Sequence, residues 1–463
     1  MGKLWRISVI FTLLFCLVGQ QDSVLAKESS NYYTILLKDE DKFTTFIEDA
    51  GELGLEIVYE VKEIGMVQVK ASSDKLPLLK DHANVEEANL SVRAVREDTL
   101  PKASSLALPS LWDFQWDMQE VTENGESYNV FSGSKDVTVG IIDSGITSTH
   151  PDLKNNIVPG SKNLVPPNGF RGEEPNETGE LTAIQDFTGH GTHVASQIAA
   201  NGFIKGVAPE IGIKSYRVFG SSSADSIWVV KAIVEAANDD VDVINLSLGS
   251  YLIKGKTISD GESSKEELAE IKAYQKAIKY AQRKGSVVVA AAGNDSLDVR
   301  DKKQMDEFIS EKLAEDGITF KGKVFDVPAA LPGVVTVTSS GPTRELSVFS
   351  NYGKKFSDIA APGGDYRYLL AYGGERWVSE GWLQKEQIIG AAPNGAYFFS
   401  SGTSISAPKV SGTLALIIDK YNYKDKPNRA ARHLYKYGVD EDTKNNREEF
   451  GHGILNVLNA VSH

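Results

Sequence analysis

Three short motifs in this chain each carry a side chain that could act in acyl transfer. Asp143 follows an apolar run, His190 lies between two glycines, and Ser404 comes where a helix is predicted to begin. Brought together by a fold, these residue types can serve as orienting carboxylate, general base and nucleophile. Taken singly, the first motif could be an ordinary turn after a strand, and the third could be a serine that caps a helix.

Two neighbouring residues compete for the same roles. Ser406 is a second candidate nucleophile, and His193 lies three residues after His190, on roughly the same side of a predicted helix. Two such histidines could bind a metal ion, but helical zinc pairs are usually spaced i, i+4 and accompanied by a glutamate, which is missing here. We therefore predict structural roles for Ser406 and His193 and no metal site.

The segments around these motifs alternate between strand and helix patterns. Apolar runs typical of buried parallel strands occupy residues 137–142, 241–246, 286–292 and 334–338. Helical patterns occupy residues 193–200, 226–238, 266–284 and 408–421, and Pro408 is expected in the first turn of the last helix, where a missing N–H is tolerated. This alternation predicts an α/β fold with a mostly parallel central sheet flanked by helices, whose strand ends collect the candidate catalytic groups.

Residues 27–100 show a different pattern and predict a small separate domain. Strand and helix patterns follow one another in the order βαββαβ, which is typical of a small α+β sandwich of the ferredoxin-like kind. Residues 101–463 form the second and larger predicted domain, and we expect the boundary to be processed between Thr99 and Trp112.

Residues 1–26 have the features of a secretory signal peptide. Lys3 and Arg6 form a basic start, an apolar stretch too short for a comfortable membrane span follows, and Ala26 is the expected cleavage position. A permanent N-terminal anchor is the alternative. Lipidation at Cys16, the only cysteine, is another, but the bulky Phe15 precedes it. If cleavage follows Ala26, Cys16 is removed, and the secreted chain contains no disulfide and no thiol nucleophile.

The formal net charge of -14 argues against nucleic acid or an anionic membrane as a main partner. The acidic surface would instead attract basic segments. Apolar residues make up 41% of the chain and charged residues 24%, which is ordinary for a soluble globular protein.

The order Asp143, His190, Ser404 along the chain is the order found in subtilisins. The surrounding residues strengthen the resemblance, which covers roughly residues 113–463. The chain is similar to subtilisins at Asp143-Ser144-Gly145-Ile146, Gly189-His190-Gly191-Thr192-His193, Gly206-Val207-Ala208-Pro209, Asn245-Leu246-Ser247-Leu248-Gly249, Ala290-Ala291-Ala292-Gly293-Asn294 and Gly402-Thr403-Ser404. This resemblance implies a serine endopeptidase in which Ser404 attacks the scissile carbonyl, His190 transfers the proton and Asp143 orients His190.

The resemblance also implies an oxyanion hole and a substrate cleft. The Asn294 side-chain amide and the Ser404 backbone amide would bind the oxyanion. Asp295 would lie at the rim of the first specificity pocket and could pair with a basic substrate residue, although it could also be a solvated turn residue. The expected main-chain partners of the substrate are Ser221, Ser222, Ser223, Ser247, Leu248 and Gly249.

The chain departs from secreted degradative subtilisins in two respects. Residues 200–206 are too short for their calcium-binding loop, so we expect no required cofactor, with weaker structural calcium sites left open. Extra segments at residues 254–265, 296–323 and 365–394 flank motifs of the cleft, and we expect them to narrow or reshape it.

These features resemble the lantibiotic leader peptidases of the secreted, epidermin type. The similar stretches include Gln115-Trp116-Asp117-Met118, Asn163-Leu164-Val165-Pro166 and Tyr216-Arg217-Val218-Phe219-Gly220. The resemblance implies a secreted, monomeric enzyme without a stable membrane anchor that removes the leader of a lantibiotic precursor after a Pro-Arg pair. Residues 27–100 would be its propeptide and inhibitor in cis. The alternatives are a broad degradative subtilisin and a non-catalytic binding module on a protease fold.

Overall fold

The apolar runs of the sequence form the strands of one central sheet in the computed structural model. The model describes residues 30–94, 102–103, 111–220, 223–259, 262–264, 267–315, 317–443 and 445–463. The predicted signal peptide, residues 1–26, lies outside the described residues, and so does most of the segment predicted to hold the processing site.

The N-terminal unit has the predicted βαββαβ order and confirms a small α+β fold. Its elements are β1 (Ser30–Leu37), α1 (Phe43–Glu52), β2 (Glu56–Val61), β3 (Met66–Ser72), α2 (Lys75–Asp81) and β4 (Val85–Leu90). The four strands pair antiparallel in the order β2-β3-β1-β4. Its apolar core includes Ile35, Phe46 and Val69, which are inaccessible to solvent.

The remaining elements belong to or lead into the larger unit. Its strands are β5 (Arg93–Ala94), β6 (Lys102–Ala103), β7 (Thr138–Asp143), β8 (Lys162–Asn163), β9 (Gly212–Arg217), β10 (Ala224–Asp225), β11 (Val243–Leu246), β12 (Ser250–Ser259), β13 (Glu262–Ser264), β14 (Val287–Ala291), β15 (Thr319–Val327), β16 (Val334–Ser340), β17 (Ile359–Pro362), β18 (Ile388–Ala391) and β19 (Tyr397–Ser400). Its α-helices are α3 (Trp116–Val121), α4 (Glu126–Val130), α5 (His190–Ala199), α6 (Ser226–Asn238), α7 (Leu268–Arg283), α8 (Lys302–Ala314), α9 (Arg367–Tyr372), α10 (Gly374–Ser379), α11 (Trp382–Glu386), α12 (Thr403–Tyr421), α13 (Pro427–Tyr437) and α14 (Val457–Ser462).

Seven strands form the central sheet in the order β17-β16-β14-β11-β7-β9-β8, and every pair is parallel. Because side chains alternate along a strand, successive residues enter different cores. Val139 and Ile141 of β7 pack with the helices α5 and α12, while Ile142 packs with α6 and α7 on the opposite face. The predicted parallel α/β sheet with helices on both faces is confirmed.

Two helices begin earlier than the sequence suggested, and both differences bear on the site. α5 begins at His190 itself, and α12 begins at Thr403, so Pro408 lies in the second turn of α12. The prediction that Pro408 occupies the first turn is therefore wrong. Since proline has no N–H, the carbonyl of Ser404 four residues earlier lacks its usual helical donor, and the Ser247 hydroxyl donates to it instead at 2.7 Å.

Candidate active site

Asp143 and His190 are brought together at the carboxyl end of β7. The Asp143 side chain is fully buried and accepts hydrogen bonds from His190 Nδ1 at 2.8 Å and 3.0 Å. The Ser144 amide also donates to Asp143 Oδ1, at 2.7 Å. A carboxylate on Nδ1 keeps the proton on that nitrogen, so Nε2 is the basic nitrogen of the ring.

A second buried carboxylate, Asp186, fixes the backbone around this pair. Its two oxygens accept six hydrogen bonds, from the Ser144 hydroxyl, the Gly189 amide, and the amides and hydroxyls of Thr188 and Thr192. Asp186 therefore connects the residue after Asp143 to the residues on both sides of His190. The sequence analysis missed it, although an aspartate four residues before a candidate base was a signal that could have been followed.

Close backbone packing completes this side of the site. An added Cβ at Gly191 would lie 2.2 Å from the carbonyl oxygen of Gly145, so no larger residue fits where α5 meets the turn after β7.

Ser404 lies in the first turn of α12 and is fully buried. Its carbonyl belongs to a chain of buried hydrogen bonds in which Ser411 donates to Asn245 Oδ1, Asn245 Nδ2 donates to the Ser247 hydroxyl, and Ser247 donates to Ser404 O. This chain attaches the start of α12 to the end of β11, the strand beside β7.

The arrangement places the three candidate catalytic residues at one end of the sheet. β7 ends in Asp143 and is paired with β11, and α5, which starts with His190, packs against α12. The Ser404 hydroxyl makes no hydrogen bond to any described residue, and the imidazole of His190 is only 7% exposed. In enzymes without substrate, the hydrogen bond between nucleophile and base is often long and shortens on binding.

Asn294 is oriented by the residue that precedes Ser404. The Thr403 amide and hydroxyl donate to Asn294 Oδ1 at 2.8 Å and 3.0 Å. Because Oδ1 accepts both bonds, the Nδ2 group points away from Thr403. The Ser404 amide lies next along the chain, among the first amides of a helix, which lack helical acceptors. Asn294 is therefore held by the residue that directly precedes the second donor proposed for the oxyanion, the Ser404 amide.

A cavity of about 570 Å³ opens beside Asn294. Asp295 lines it, as predicted for a pocket residue, but a second carboxylate, Asp326, also lines it and is only 4% exposed. The Tyr251 hydroxyl donates to Asp295 Oδ2 at 2.6 Å, and burial together with these two carboxylates raises the pKa of Tyr251 well above its usual range, so the phenol stays protonated. Asp326 and Tyr251 were not found from the sequence, since neither belongs to a motif.

The structure describes four of the six predicted main-chain binding residues. Ser221 and Ser222 lie outside the described residues, and Ser223 is buried just before β10. Gly249 lines the cavity. Leu248 packs in the core, and the Ser247 side chain is used to hold Ser404, so any contact these two make with substrate would be through the backbone.

The N-terminal unit is docked on the larger unit beside this cleft. Its extension, β5, pairs antiparallel with β10, so Arg93 and Ala94 add a strand directly after Ser223, one of the residues predicted to bind substrate backbone. At the same interface Glu270 of α7 is fully buried, and Asn89 donates to it at 2.5 Å. Burial raises the pKa of Glu270 to about 7.

The short turn after α5 does not resemble a calcium site. The amides of Phe203 and Ile204 donate to the two oxygens of Asp152, and the Tyr397 hydroxyl donates to the same carboxylate. The turn therefore directs N–H and O–H groups at Asp152, whereas calcium requires oxygen ligands. Within the part of the chain that the model describes, no group of three or more His, Cys, Asp or Glu side chains could hold a metal ion.

The two competing residues lie in packed surroundings. His193 is inaccessible to solvent, its Nε2 bonds to the carbonyl of Ile388 at 3.2 Å, and burial with His190 nearby lowers its pKa to about 3. The Ser406 hydroxyl packs against Gly363, where an added Cβ would lie 2.2 Å away.

Among the described helices, none is long and apolar enough to cross a membrane.

Comparison with known proteins agrees with this geometry. The model of the subtilase family matches residues 134–453. The chain is 40% identical to the epidermin leader peptide-processing serine protease of Staphylococcus epidermidis, covering 99% of both chains. It is 43% identical to the nisin leader peptide-processing serine protease of Lactococcus lactis subsp. lactis over 76% of this chain and 49% of that one.

A solved structure gives the same result for the fold. The crystal structure of the epidermin leader peptide-processing serine protease from Staphylococcus aureus is similar to this chain with a TM-score of 0.83 and 41% identity, over 94% of this chain and 98% of the other. The family model covers the whole region from before β7 to the end of the sheet and includes Asp143, His190, Asn294 and Ser404. The chain therefore belongs to the subtilase family of serine endopeptidases.

Proposed function

We propose that this chain is a secreted endopeptidase that removes the leader from a lantibiotic precursor by cutting after an arginine. Two of its relatives are named for leader processing, one of them similar over the whole chain. The observation that carries the arginine preference is the pair of carboxylates, Asp295 and Asp326, in the cavity beside Asn294. Secretion rests on the predicted signal peptide at residues 1–26.

The reaction follows from the roles assigned to the residues at the strand ends. Ser404 Oγ attacks the scissile carbonyl while His190 Nε2 takes its proton, and Asp143 stabilises the protonated imidazole through Nδ1. The carbonyl oxygen becomes negatively charged and receives hydrogen bonds from Asn294 Nδ2 and the Ser404 amide. His190 then protonates the leaving amine, and water attacks the acyl-enzyme by the same route in reverse.

The charge of the cavity favours a basic side chain before the scissile bond. Asp326 is nearly inaccessible to solvent, and its Oδ2 accepts a hydrogen bond from the side-chain nitrogen Nδ2 of Asn351 at 3.3 Å. A guanidinium that enters the cavity would pair with this carboxylate in surroundings where water competes poorly. A leucine in the same place would make no ion pair with Asp326.

The direct test uses precursor peptides that differ at one residue. A leader–core peptide with Pro-Arg before the cut should be cleaved once, between leader and core, and its counterpart with Pro-Leu should be cleaved at least tenfold more slowly. Mass spectrometry identifies the site. Equal cleavage of both peptides, or efficient digestion of casein, would favour the broad degradative subtilisin instead.

Residues 27–100 would act as a propeptide in cis. Support comes from the N-terminal unit itself, which adds β5 to β10, the strand that directly follows the predicted substrate-binding residue Ser223. If Ser404 releases this unit, a Ser404→Ala protein purified without other proteases should remain unprocessed at its full secreted mass. The same variant should fail to react with a fluorophosphonate probe that labels the wild type, whereas an unlabelled wild type would favour the non-catalytic binding module.

A further inference from the structure

The cavity wall formed by α8 contributes a cation. Among the described lining residues, Lys312 of α8 and Arg93 of β5 are the cationic side chains, and Glu267, Asp295 and Asp326 are the acidic ones. Arg93 precedes the predicted processing site, so of these two described cations Lys312 is the one that the self-processed enzyme would keep. α8 lies within residues 296–323, one of the segments that are extra relative to degradative subtilisins. The cation is therefore carried by a segment added to the common fold.

Lys312 is a partner of Asp295 and of the aromatic residues around it. Its ammonium lies 3.5 Å from Asp295 Oδ1, 4.3 Å from the ring centroid of Phe308 and 5.6 Å from that of Tyr251. The other oxygen of Asp295 accepts the Tyr251 hydroxyl at 2.6 Å. Asp295 thus has one neutral, partly buried partner and one charged partner on a long, flexible side chain.

The ion pair is exposed enough to exchange. The Lys312 side chain is 56% exposed and the Asp295 side chain 28%, and pairs of this kind are held weakly because water and salt compete for both charges. Asp326 differs, since it is 4% exposed. Of the two aspartates in the cavity, Asp326 is therefore buried, whereas Asp295 has a cation that can leave.

We propose that Lys312 is an exchangeable counter-ion of this acidic pocket and a specificity-determining residue. It neutralises Asp295 while the pocket is empty, and an entering arginine side chain displaces it. This inference rests on the proposed cleavage after arginine. Because the substrate must displace Lys312, arginine binds less tightly than the two carboxylates would otherwise allow, and because Lys312 compensates Asp295, a neutral side chain is tolerated better. Lys312 thereby reduces the discrimination between arginine and leucine.

The test is a double-mutant cycle on the self-processed enzyme. kcat and KM are measured for two peptides that differ only in Arg or Leu before the cut, with wild type, Lys312→Ala, Asp295→Ala and the double variant. We expect Lys312→Ala to lower KM for the arginine peptide about threefold to tenfold without changing kcat, and not to lower it for the leucine peptide. In the Asp295→Ala background the same change should have no effect.

Two further measurements separate this role from a structural one. The inhibition constant of benzamidine, a small amidinium cation, should fall by the same factor in Lys312→Ala. The difference in this constant between wild type and variant should shrink in 1 M NaCl, because the screening length there is only about 3 Å. Lys303→Ala is the matched control, because Lys303 lies on the same helix, is 82% exposed and pairs only outward with Glu307 at 3.4 Å.

The outcomes distinguish this inference from the function on which it rests. Equal KM changes for both peptides, an unchanged benzamidine constant, or an effect that persists without Asp295 would overturn the counter-ion role and leave the arginine preference intact. A wild-type enzyme that cleaves both peptides equally and is not inhibited by benzamidine would overturn the proposed function and this inference together.

Discussion

The two sides of the cleft are built in different ways. Around Asp143 and His190, short side chains and backbone amides converge on a few buried oxygens, as in the six hydrogen bonds accepted by Asp186. The cavity beside Asn294 is lined by residues of β12, α8 and the end of β15, which contribute Tyr251, Lys312 and Asp326. The groups of the reaction are thus held by strand ends, whereas the cavity proposed to select the substrate is lined in part by the extra segment 296–323, through Lys312.

This difference explains how one fold can combine a fixed chemistry with different substrates. Strand ends in a parallel sheet are positioned by the core on both faces, so their side chains tolerate little change. A helix and a hairpin attached outside that core can be replaced without moving Asp143 or Ser404. Variants on the first side should therefore reduce turnover for every substrate, and variants on the second side should change selectivity.

The largest effect is expected for Asn294→Ala. Removing the amide takes away one donor to the oxyanion. In subtilisin the loss of the corresponding asparagine costs about 10²–10³ in kcat, and we expect a similar loss here. KM should change little, because the ground-state carbonyl depends less on this donor. The measurement is steady-state kinetics with the arginine and leucine peptides, and a loss confined to one of them would contradict the oxyanion role.

Asp186→Asn should reduce kcat by about 10², through misplacement of His190. An asparagine presents an NH₂ group to amides and hydroxyls that themselves donate, so the hydrogen bonds to at least one of the two former carboxylate oxygens must break. Kinetics of both peptides and the pH profile of kcat/KM measure the effect. Full turnover with an unshifted profile would show that Asp186 does not position the base.

Sequence reasoning succeeded where residue type and local order carry the information. The parallel sheet followed from continuous apolar runs, and Asp143, His190 and Ser404 could be proposed as catalytic residues because their motifs are short and ordered along the chain. Asp326 and Lys312 could not be found in this way, because they reach the cavity from a strand end and a helix whose placement depends on tertiary packing. The start of α12 was misplaced because Pro408 suggested a first turn, whereas Ser247 supplies the missing donor.

On the substrate side, Asp326→Asn should lower kcat/KM for the arginine peptide roughly 30-fold, the value of one charge-assisted hydrogen bond in a buried site. The leucine peptide should lose less than about threefold, since its side chain makes no use of the charge. The ratio of the two kcat/KM values is the measurement. If Asp295→Ala changed this ratio more than Asp326→Asn, the exposed carboxylate would be the main anchor.

Docking of the N-terminal unit should depend on pH through Glu270. Its pKa is raised to about 7 by burial at the interface, so docking takes up a proton. That contribution is fully present below the usual pKa of a glutamate and is lost as the pH rises through about 7. We expect inhibition by residues 27–100 added in trans to weaken about tenfold between pH 5 and pH 7. Glu270→Gln should remove this dependence, and an unchanged pH profile in that variant would exclude Glu270 as its cause.

The smallest effect is expected from calcium removal. Since Asp152 is already engaged by the donors of the turn after α5, a chelator should shift the midpoint of thermal unfolding by less than about 1 °C. Asp152→Asn should lower it by several degrees, because the turn loses acceptors. A large decrease with chelator alone would indicate a calcium site elsewhere in the chain.

The pairing of β5 with β10 has a consequence for dilution. If residues 27–100 act as the proposed inhibitor, their strand β5 is tethered while the chain is intact, and a short tether gives an effective concentration on the order of millimolar. Once the chain is cut, the same strand competes only at the true concentration of the released fragment. An enzyme that leaves a crowded cell surface for a large volume would then lose its inhibitor without any change in the contacts themselves.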